Sequence, residues 1–350
     1  MKAIILTDPL SKFSEEGFRD QEYKWKDLPD FEWEYVTDYN HMNMDEPARF
    51  NEKLEKEGPE GWIKMSPELK EKLADAELLL TSFCGVTEEM LEAAPNLKLV
   101  YIMRSGVENC NVEAAKKRGI IVCNTPSRLA EPVADLTVAL MLVEARGILR
   151  GNRSLLEGKW EKNDIYQDST NAAFCNLRVG LYGFGAIGRA VAKRLRKGFG
   201  AEVVAYDAYV PAERIEAEDV RAVSLEEMLS TSDIISMHLQ LTDSTRNIVG
   251  AKDFAMMKPN AVFVNTARAG LVDQQALLDA LQTKKIRGAA LDVFWDEPVP
   301  ADSPFLKMDN VSMTPHRAGM TLDMVKNTMN MTVAELKRYF AGEKLLFQVK

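Results

Sequence analysis

The sequence lacks the long apolar run that a membrane span requires. No stretch of its 350 residues approaches the roughly 20 apolar residues that cross a bilayer as a helix. The opening segment, MKAIILTDPL, carries only a short apolar run. Asp8 and Pro9 end it before a signal-peptide core can form, so it predicts a first strand. We therefore expect a cytoplasmic protein without a membrane partner.

Cysteine is scarce and its spacing is irregular. The chain has four cysteines, Cys84, Cys110, Cys123 and Cys175. They show neither a CxxC pair nor the spacing of a zinc site. Without an export signal, four scattered cysteines are typical of reduced, buried thiols. The sequence thus predicts neither a disulfide framework nor a metal site.

An excess of basic charge is also missing. Lys and Arg number 44 against 53 Asp and Glu, which gives a formal net charge of −9. Nucleic-acid binding rests on clustered cations that neutralise phosphates, so neither a nucleic-acid partner nor an anionic membrane is expected. The acidic excess is steepest in residues 13–60, which we interpret as a solvated surface.

The remaining composition is that of a globular protein large enough for two domains. In the first 125 residues, helical patterns alternate with short apolar segments, which predict strands at 2–6, 77–81, 97–102 and 120–123. Such alternation predicts a parallel sheet covered by helices.

Residues 13–70 give no clear assignment. A long helix is expected over 129–149, with Ser127 as a possible cap, and a surface excursion over 151–176.

A dinucleotide-binding pattern begins near residue 177. A predicted strand leads into Gly183-Phe184-Gly185-Ala186-Ile187-Gly188 and then into a predicted helix. Gly183 permits the tight turn, Gly185 lets the backbone approach a pyrophosphate, and Gly188 allows close packing of helix and strand. Asp207 ends the next strand, where a carboxylate binds ribose hydroxyls and repels a 2′-phosphate. NAD is therefore favoured over NADP, although the same fingerprint also fits FAD or a sugar nucleotide.

Three reactive residues follow later strands of this region. Arg268 and His316 come after predicted strands at 261–265 and 311–314, and Glu297 lies between them. Functional groups collect at the carboxyl ends of parallel strands. Arg268 can hold a carboxylate and polarise a carbonyl, His316 can exchange a proton, and Glu297 can orient His316 and raise its pKa. Each residue taken alone is also compatible with an ordinary surface role.

The other two histidines are weaker candidates for proton transfer. His41 lies in the acidic N-terminal region, where we expect it on the surface. His238 follows the predicted strand 233–237 and is expected to line the cofactor side of the crevice. His316 is therefore the predicted acid and base.

The motifs GFGAIG, SMHLQLTDSTRNIV, MMKPNAVFVNTARAGLVD, GAALDVFWDEP and TPHRAG occur in one order within residues 75–340. Because of these motifs and their order, the chain resembles the D-isomer-specific 2-hydroxyacid dehydrogenase family. The resemblance implies a catalytic triad of Arg268, Glu297 and His316. It also implies further NAD contacts, with Asp292 at the nicotinamide amide, from Ala186, Ile187, Asp207, Leu239, Thr266, Ala267, Asp292 and Gly319.

The same resemblance implies the domain organisation. A smaller flavodoxin-like α/β substrate domain is expected from both chain ends, residues 1–126 and 321–350. A Rossmann-type, doubly wound parallel sheet is expected over 127–320 as the NAD domain. The family also implies a homodimer.

The substrate loop departs from the family pattern. Where the family commonly has Gly-x-Gly-Val-Asp-Asn, this chain reads Arg104-Ser105-Gly106-Val107-Glu108-Asn109. The backbone amides of Ser105 and Gly106 are expected to cradle the substrate carboxylate. Arg104 is hypothesised to bind a polar or anionic group at the far end of the substrate, and the alternative is that it points to solvent.

A second departure concerns phosphorylated substrates. Residues 81–84 read TSFC where phosphoglycerate dehydrogenases of the family tend to place an Arg-Ser pair. Loss of that cation favours a small unphosphorylated 2-hydroxy acid of the glycerate, glyoxylate or lactate kind. Hydroxypyruvate is another 2-oxo acid of this size.

Other functions on the same fold remain open. Formate dehydrogenases resemble the chain but have Gln in place of Glu297, whereas phosphite dehydrogenase has the same triad. An NAD-sensing regulator or corepressor without turnover is a third possibility.

Overall fold

The computed structural model describes residues 2–7, 15–20, 25, 28–29, 31–37, 53–54, 56–160 and 172–349. His41 and part of the acidic segment lie outside the described residues, so their surface interpretation stays a prediction. The chain forms two compact units, one of Met1–Arg128 with Thr321–Lys350 and one of Leu129–Met320. Among the described residues, no helix combines the length and apolar character that spanning a membrane requires.

The first unit is built on one parallel sheet. Its strands are β1 (Lys2–Thr7), β2 (Glu32–Thr37), β3 (Leu78–Thr81), β4 (Leu99–Ile102) and β5 (Ile121–Asn124). They lie in the order β2-β1-β3-β4-β5, which is the flavodoxin-like order. The residues of β3 and β4 are all buried, as expected for a parallel sheet covered on both faces.

Short helices connect these strands. They are α1 (Glu15–Arg19), α2 (Pro67–Leu73), α3 (Glu88–Glu92) and α4 (Val112–Lys117). The last three begin at side-chain caps, where Ser66, Thr87 and Asn111 each accept a hydrogen bond from a backbone amide of the first turn. Such caps satisfy amides that lack an intrahelical partner.

The second unit contains a seven-stranded parallel sheet. Its strands are β6 (Arg178–Tyr182), β7 (Glu202–Tyr206), β8 (Arg221–Ala222), β9 (Ile234–Met237), β10 (Val262–Asn265), β11 (Gly288–Leu291) and β12 (Val311–Met313). The helices are α5 (Ala130–Ala145), α6 (Ile148–Leu156), α7 (Ala186–Phe199), α8 (Ala212–Glu216), α9 (Leu225–Thr231), α10 (Ala251–Met256) and α11 (Gln274–Gln282).

The strand order of this sheet is β12-β11-β10-β9-β6-β7-β8. The connections run one way from β6 through β7 to β8 and the other way from β9 to β12. The direction of winding therefore reverses between β6 and β9, where doubly wound sheets bind their ligands. The predicted fold class, a Rossmann-type sheet with a second α/β unit, is confirmed.

Two sequence expectations differ from the structure near residues 127–156. The single helix expected over 129–149 is wrong because Gly147 takes a left-handed conformation, with φ of 59°, and separates α5 from α6. Part of the expected surface excursion is thus helical. Ser127 has φ of 65°, and α5 begins after Leu129 with no side-chain cap from the described residues.

The cysteine expectation is wrong at one position. Cys84, Cys110 and Cys123 are buried free thiols, whereas Cys175 is exposed. Cys175 lies in a short 3-10 turn, Phe174–Asn176, that precedes β6 at the rim of the sheet. The side chain of Cys175 is exposed because the residue lies on a turn rather than on a strand.

The last helix, α12 (Met324–Phe340), belongs to the first unit. Its buried face includes Met329 and Leu336, which pack in one core cluster with Ile5 and Tyr101. The helix therefore covers one face of the sheet that the N-terminal strands form.

The C-terminal residues continue along the edge strand β5. The Asn124 amide donates to the Phe347 carbonyl at 3.2 Å, and the Val349 amide donates to the Val122 carbonyl at 2.8 Å. Glu335 on α12, only 2% exposed, accepts from the backbone amides of Leu346 and Phe347 at 2.6 and 2.8 Å. The segment is thus held both by the sheet and by a buried carboxylate.

Candidate active site

The glycine loop after β6 has the geometry of a cofactor cradle. Gly183 has φ of 103°, and a Cβ there would lie 2.8 Å from the backbone of His238. A Cβ on Gly188 would overlap the Gly183 carbonyl. On Gly185, by contrast, a Cβ would meet no atom within 4 Å in the described part of the chain. Two glycines are needed for packing, and the third leaves open space at the start of α7.

That open space fits the pyrophosphate of a dinucleotide. Ala186 and Ile187 form the first turn of α7, so their amides lie at the positive end of the helix. Gly185 is the residue that precedes this turn. Gly185 and the first turn of α7 therefore fit the dinucleotide that the glycine pattern implies.

Asp207 stands at the end of β7 and bridges two backbone segments. Its Oδ2 accepts from the Phe184 amide at 2.7 Å, and its Oδ1 accepts from the amides of Tyr209 and Val210 at 2.8 and 3.0 Å. The carboxylate thereby holds the glycine loop against the end of the neighbouring strand. This organising role was not part of the sequence prediction, which assigned Asp207 to the ribose hydroxyls.

Other predicted cofactor residues lie at the same edge of the sheet. Leu239 follows β9, and Thr266 and Ala267 follow β10. The Thr266 hydroxyl is 2.7 Å from that of Thr137 on α5, an unpredicted contact that holds the start of this turn. A Cβ on Gly319 would lie 2.8 Å from Leu129, so this glycine is required by packing within the second unit.

His238 follows β9 and is not suited to carry a proton. Both of its ring nitrogens are buried, and neither has a hydrogen-bond partner among the described residues. Burial lowers the pKa of His238 to about 3, because the imidazolium would lose its hydration. This ring therefore stays neutral at physiological pH.

His316 is held by a carboxylate at the ends of β11 and β12. Its Nδ1 is 2.7 Å from Glu297 Oε2, and Glu297 Oε1 accepts from the Phe294 amide at 2.9 Å. An ionised carboxylate only accepts, so Nδ1 carries the hydrogen and Nε2 is left for proton exchange. The backbone of His316 has φ of 44°, a left-handed conformation that is uncommon outside glycine and is often found at functional sites.

The pKa values of this pair move apart. The hydrogen bond that His316 donates to Glu297 raises the pKa of His316, while burial and Arg268 oppose the rise and Asp292 adds to it. Burial acts to raise the pKa of Glu297, but hydrogen bonds from His316 and the Phe294 amide, with the nearby positive charges, lower it overall. Glu297 is thus ionised, and His316 holds its proton to higher pH than a free imidazole.

Asp292 at the end of β11 organises the loop that carries His316. It is fully buried and accepts from the Thr314 hydroxyl at 2.5 Å. The amides of Arg317 and Ala318 donate to its two oxygens at 3.0 and 2.8 Å. The contacts lie on both sides of His316 in the chain. The resemblance assigned Asp292 to the nicotinamide amide, and this assignment stays a prediction.

Arg268 lies on a turn that the side chain of Asn265 shapes. Asn265, buried at the end of β10, donates to the Arg268 carbonyl and accepts from the Ala267 amide, both at 3.0 Å. The exposed Arg268 side chain donates to the Ala267 carbonyl at 2.8 Å. Its charge influences the pKa of both Glu297 and His316. The three predicted triad residues are therefore brought together at one edge of the second unit.

Trp295 anchors the segment that carries Glu297, and sequence reasoning missed it. Its Nε1–H donates to the Val272 carbonyl at 3.0 Å, and its ring stacks on Phe305 with centroids 5.6 Å apart. A tryptophan two residues before the predicted carboxylate in DVFWDEP was the available signal. Its fixed ring limits how far Glu297 can move from His316.

The loop after β4 in the first unit is tied to the end of β5. The Asn124 side chain donates to the Ser105 carbonyl at 2.6 Å, and the Thr125 amide donates to the Arg104 carbonyl at 3.1 Å. A Cβ on Gly106 would overlap the Glu108 carboxylate. The side chain of Arg104 is buried, so the alternative that it points to solvent is wrong.

Metal ligands form no cluster in the described part of the chain. No group of three or more His, Cys, Asp or Glu side chains there is arranged to hold a metal ion.

Comparison with known proteins identifies the family. Residues 138–318 match the family model described as D-isomer specific 2-hydroxyacid dehydrogenase, NAD binding domain. A glyoxylate reductase of Korarchaeum cryptofilum is 38% identical over 275 residues, which cover 78% of this chain and 82% of that protein. A D-3-phosphoglycerate dehydrogenase of Methanocaldococcus jannaschii is 40% identical over 278 residues, or 79% of this chain. The alignment spans only about half of that relative's length, 52%.

Solved structures give the same result. The crystal structure of D-lactate dehydrogenase with NAD+ from Lactobacillus jensenii has a TM-score of 0.78 and 26% identity, and the match covers 100% of both chains. The cofactor inferred from the glycine loop and Asp207 is thus NAD. The chain belongs to the family of NAD-dependent, D-isomer-specific 2-hydroxyacid dehydrogenases, as its motifs predicted.

Proposed function

We propose that the chain catalyses reversible hydride transfer between NAD(H) and a small, unphosphorylated 2-oxo or 2-hydroxy acid, with His316 as acid and base. The observation that carries this proposal is the 2.7 Å contact between His316 Nδ1 and Glu297 Oε2. It stands at the same edge of the sheet as the glycine loop and Arg268. In this proposal a proton carrier, its orienting carboxylate and a guanidinium act on one substrate.

NAD would be held by the edge of the second unit. The proposed contacts are Gly183, Gly185, Ala186, Ile187, Gly188, Asp207, Leu239, Thr266, Ala267, Asp292 and Gly319. The bound cofactor supplies or accepts the hydride. The charge of Asp207 would disfavour a cofactor with a 2′-phosphate.

His316 would move the proton. During reduction, His316 Nε2–H donates its proton to the carbonyl oxygen of the 2-oxo acid, and the carbonyl becomes a hydroxyl. During oxidation, neutral His316 removes that proton again. Glu297 keeps the ring in the required tautomer and stabilises its charged form, and proton transfer by a positioned group contributes about 10²–10⁴-fold in rate.

Arg268 and the loop after β4 would bind the substrate. A guanidinium binds a carboxylate through two parallel hydrogen bonds and polarises a neighbouring carbonyl. The backbone amides of Ser105 and Gly106 are proposed as further groups that bind the substrate. In this proposal residues 1–126 and 321–350 form the substrate domain and residues 127–320 the NAD domain.

The substrate class follows from size and charge. By the family resemblance, residues 81–84 lack the Arg-Ser pair that phosphoglycerate dehydrogenases tend to have there, so an unphosphorylated acid of the glyoxylate, hydroxypyruvate or lactate kind is proposed. One similar protein is named as a glyoxylate reductase and another as a D-lactate dehydrogenase, which supports this size, whereas a third is named as a D-3-phosphoglycerate dehydrogenase.

A homodimer in the cytoplasm is also proposed. Helix α6 exposes Ile148, Leu149, Leu155 and Leu156, which share one face at helical spacing. An apolar face of this kind is typical of an interface. The four cysteines are free thiols, which fits a reducing compartment.

An NADH-oxidation screen tests the proposal. The wild-type protein would be assayed with glyoxylate, hydroxypyruvate, pyruvate and longer 2-oxo acids, and NAD reduction would be measured with formate and phosphite. Turnover of 2-oxo acids that His316→Ala abolishes is expected. Turnover of phosphite alone, or NADH binding without any turnover, would contradict the proposal, the latter in favour of a sensor.

A further inference from the structure

A hydroxyl of helix α5 reaches the turn that follows β10. Thr137 is buried near the middle of α5, and its Oγ1 lies 2.7 Å from Oγ1 of Thr266, the first residue after β10. Helix and strand are packed together here, since Val138 shares a core cluster with Val262 and Val264. The contact therefore joins two elements that the core already holds against each other.

A second contact fixes the direction of this hydrogen bond. Thr137 Oγ1 is also 2.7 Å from the Val133 carbonyl, one helical turn earlier, and a carbonyl only accepts. A hydroxyl has a single hydrogen, so Thr137 donates it to Val133 and has to accept from Thr266. Because Thr137 is 0% and Thr266 only 6% exposed, bulk water has little access to the pair. The hydrogen of Thr266 is thus committed to Thr137.

The turn that begins at Thr266 carries Arg268. Asn265 holds it from the strand side, because its side chain donates to the Arg268 carbonyl and accepts from the Ala267 amide, both at 3.0 Å. These two bonds involve the backbone of residues 267 and 268 but not the side chain of Thr266. Thr137 supplies a third anchor, so the turn is held at its first residue from α5 and at the next two from β10.

Packing alone does not require a threonine at position 137. Valine has the same shape, and a threonine that bonds back to the carbonyl of the preceding turn slightly destabilises its helix. The contact with Thr266 explains why a hydroxyl is present there. A purely structural role, in which Thr137 only satisfies the buried hydroxyl of Thr266, makes a different prediction for ligand binding.

We propose that Thr137 is a positioning residue, which acts through Thr266 to set the place of the turn that carries Arg268. This inference rests on the proposed function, in which Thr266 and Ala267 contact NAD and Arg268 binds the substrate carboxylate. Loss of the Thr137 hydroxyl then weakens the binding of both ligands, although Thr137 itself touches neither. A helix on one face of the sheet thereby contributes to affinity at the edge of the sheet.

NADH titration and steady-state kinetics test this role. Thr137→Val keeps the shape and removes the hydroxyl, so the dissociation constant of NADH and the KM for a 2-oxo acid should each rise about fivefold, the value of one neutral hydrogen bond. Thr137→Ser keeps the oxygen and should restore most of the affinity. The value of kcat should change less than KM, because other segments hold the pair of His316 and Glu297.

A threonine elsewhere in the second unit provides the control. The Thr231 hydroxyl on α9 donates to the Glu227 carbonyl at 2.6 Å, but Thr231 precedes β9 and so lies at the opposite edge of the sheet. Thr231→Val should leave NADH binding and KM unchanged. Affinities that Thr137→Val does not alter, or that both variants alter equally, would overturn the inference. The NADH titration needs no turnover, so its result does not depend on whether the protein reduces 2-oxo acids.

Thermal unfolding tests the direction of the hydrogen bond. Thr137→Val leaves the buried O–H of Thr266 without its acceptor, whereas Thr266→Val leaves Thr137 bonded to Val133. We therefore expect Thr137→Val to lower the melting temperature more than Thr266→Val does. The double variant should be at least as stable as Thr137→Val, because it no longer contains the unsatisfied hydroxyl. The reverse order of the two single variants would contradict the assigned direction and with it the anchoring of the turn by Thr137.

Discussion

Glu297 Oε2 lies 2.7 Å from His316 Nδ1, and the two residues reach this contact from segments that follow different strands, β11 and β12. The hydrogen bond spans only two side chains but depends on both segments. Trp295 anchors one segment through the Val272 carbonyl, and Asp292 anchors the other through three hydrogen bonds. The proton carrier therefore has a defined orientation before a ligand arrives.

Replacement of the carboxylate should move the pH dependence. Glu297 raises the pKa of His316, so reduction, which needs protonated His316, persists to higher pH than it would with an ordinary imidazole. In Glu297→Gln this contribution is lost, and the alkaline limb of kcat/KM for reduction should shift to lower pH, while the acidic limb for oxidation shifts in the same direction. The exposed neighbour provides the control, since Asp296→Asn should leave both limbs in place. An unchanged profile in Glu297→Gln would show that the pair does not set the pKa.

Loss of the imidazole should remove proton transfer while the backbone is kept. Asn tolerates left-handed φ values better than most residues, so His316→Asn should preserve the loop at φ of 44°. We expect kcat to fall about 10²–10⁴-fold in both directions, with thermal stability nearly unchanged. Activity within a few-fold of the wild type would exclude His316 as acid and base.

The three glycines of the loop should not respond alike. Gly183→Ala forces a side chain into a left-handed turn against His238, which costs about 1–2 kcal/mol before any clash is relieved. Its melting temperature should fall by several degrees. Gly185→Ala adds a methyl group to open space, so the fold should keep its stability while NADH binding weakens. Calorimetric unfolding and NADH titration measure the two effects, and equal melting temperatures in both variants would contradict the packing argument.

The charge of Asp207 should decide cofactor preference. Asp207→Asn keeps an oxygen that can accept from the Phe184 amide but removes the negative charge. We expect kcat/KM with NADPH to rise and that with NADH to fall, so that the ratio changes at least about tenfold. Glu216→Gln, an exposed substitution on α8, is the matched loss of one negative charge. Steady-state kinetics with both cofactors measure the ratio, and a similar change in both variants would point to net charge instead.

The apolar face of α6 should hold the subunits together. Leu156 is 81% exposed, so Leu156→Glu removes apolar contact area without disturbing a buried core. Light scattering is expected to show a dimer for the wild-type protein and a concentration-dependent monomer for Leu156→Glu. Leu346→Glu, at a 59% exposed position of the C-terminal segment, should remain dimeric. A monomeric wild-type protein would disprove the homodimer.

The sequence predicted features that depend on local pattern or on position after a strand. Gly183 to Gly188 follow a strand and open a helix, and Arg268, Glu297 and His316 follow later strands, so parallel topology alone brings them to one edge. The break between α5 and α6 was missed because Gly147 is compatible with a helix until its backbone conformation is known. The burial of Arg104 was also undetermined, since it depends on Phe83 and on loop packing between residues distant in sequence.

The hydrogen bonds of residues 346–349 with β5 have a practical consequence for work with this protein. A chain shortened before Leu346 would leave the carboxylate of Glu335 buried without two of its amide donors, and it would uncover one border of the five-stranded sheet. Such a truncation is expected to lower the solubility of the protein, because residues 346–349 are part of the packed first unit. Any tag fused after Val349 needs a spacer long enough to preserve the hydrogen bond from the Val349 amide to the Val122 carbonyl.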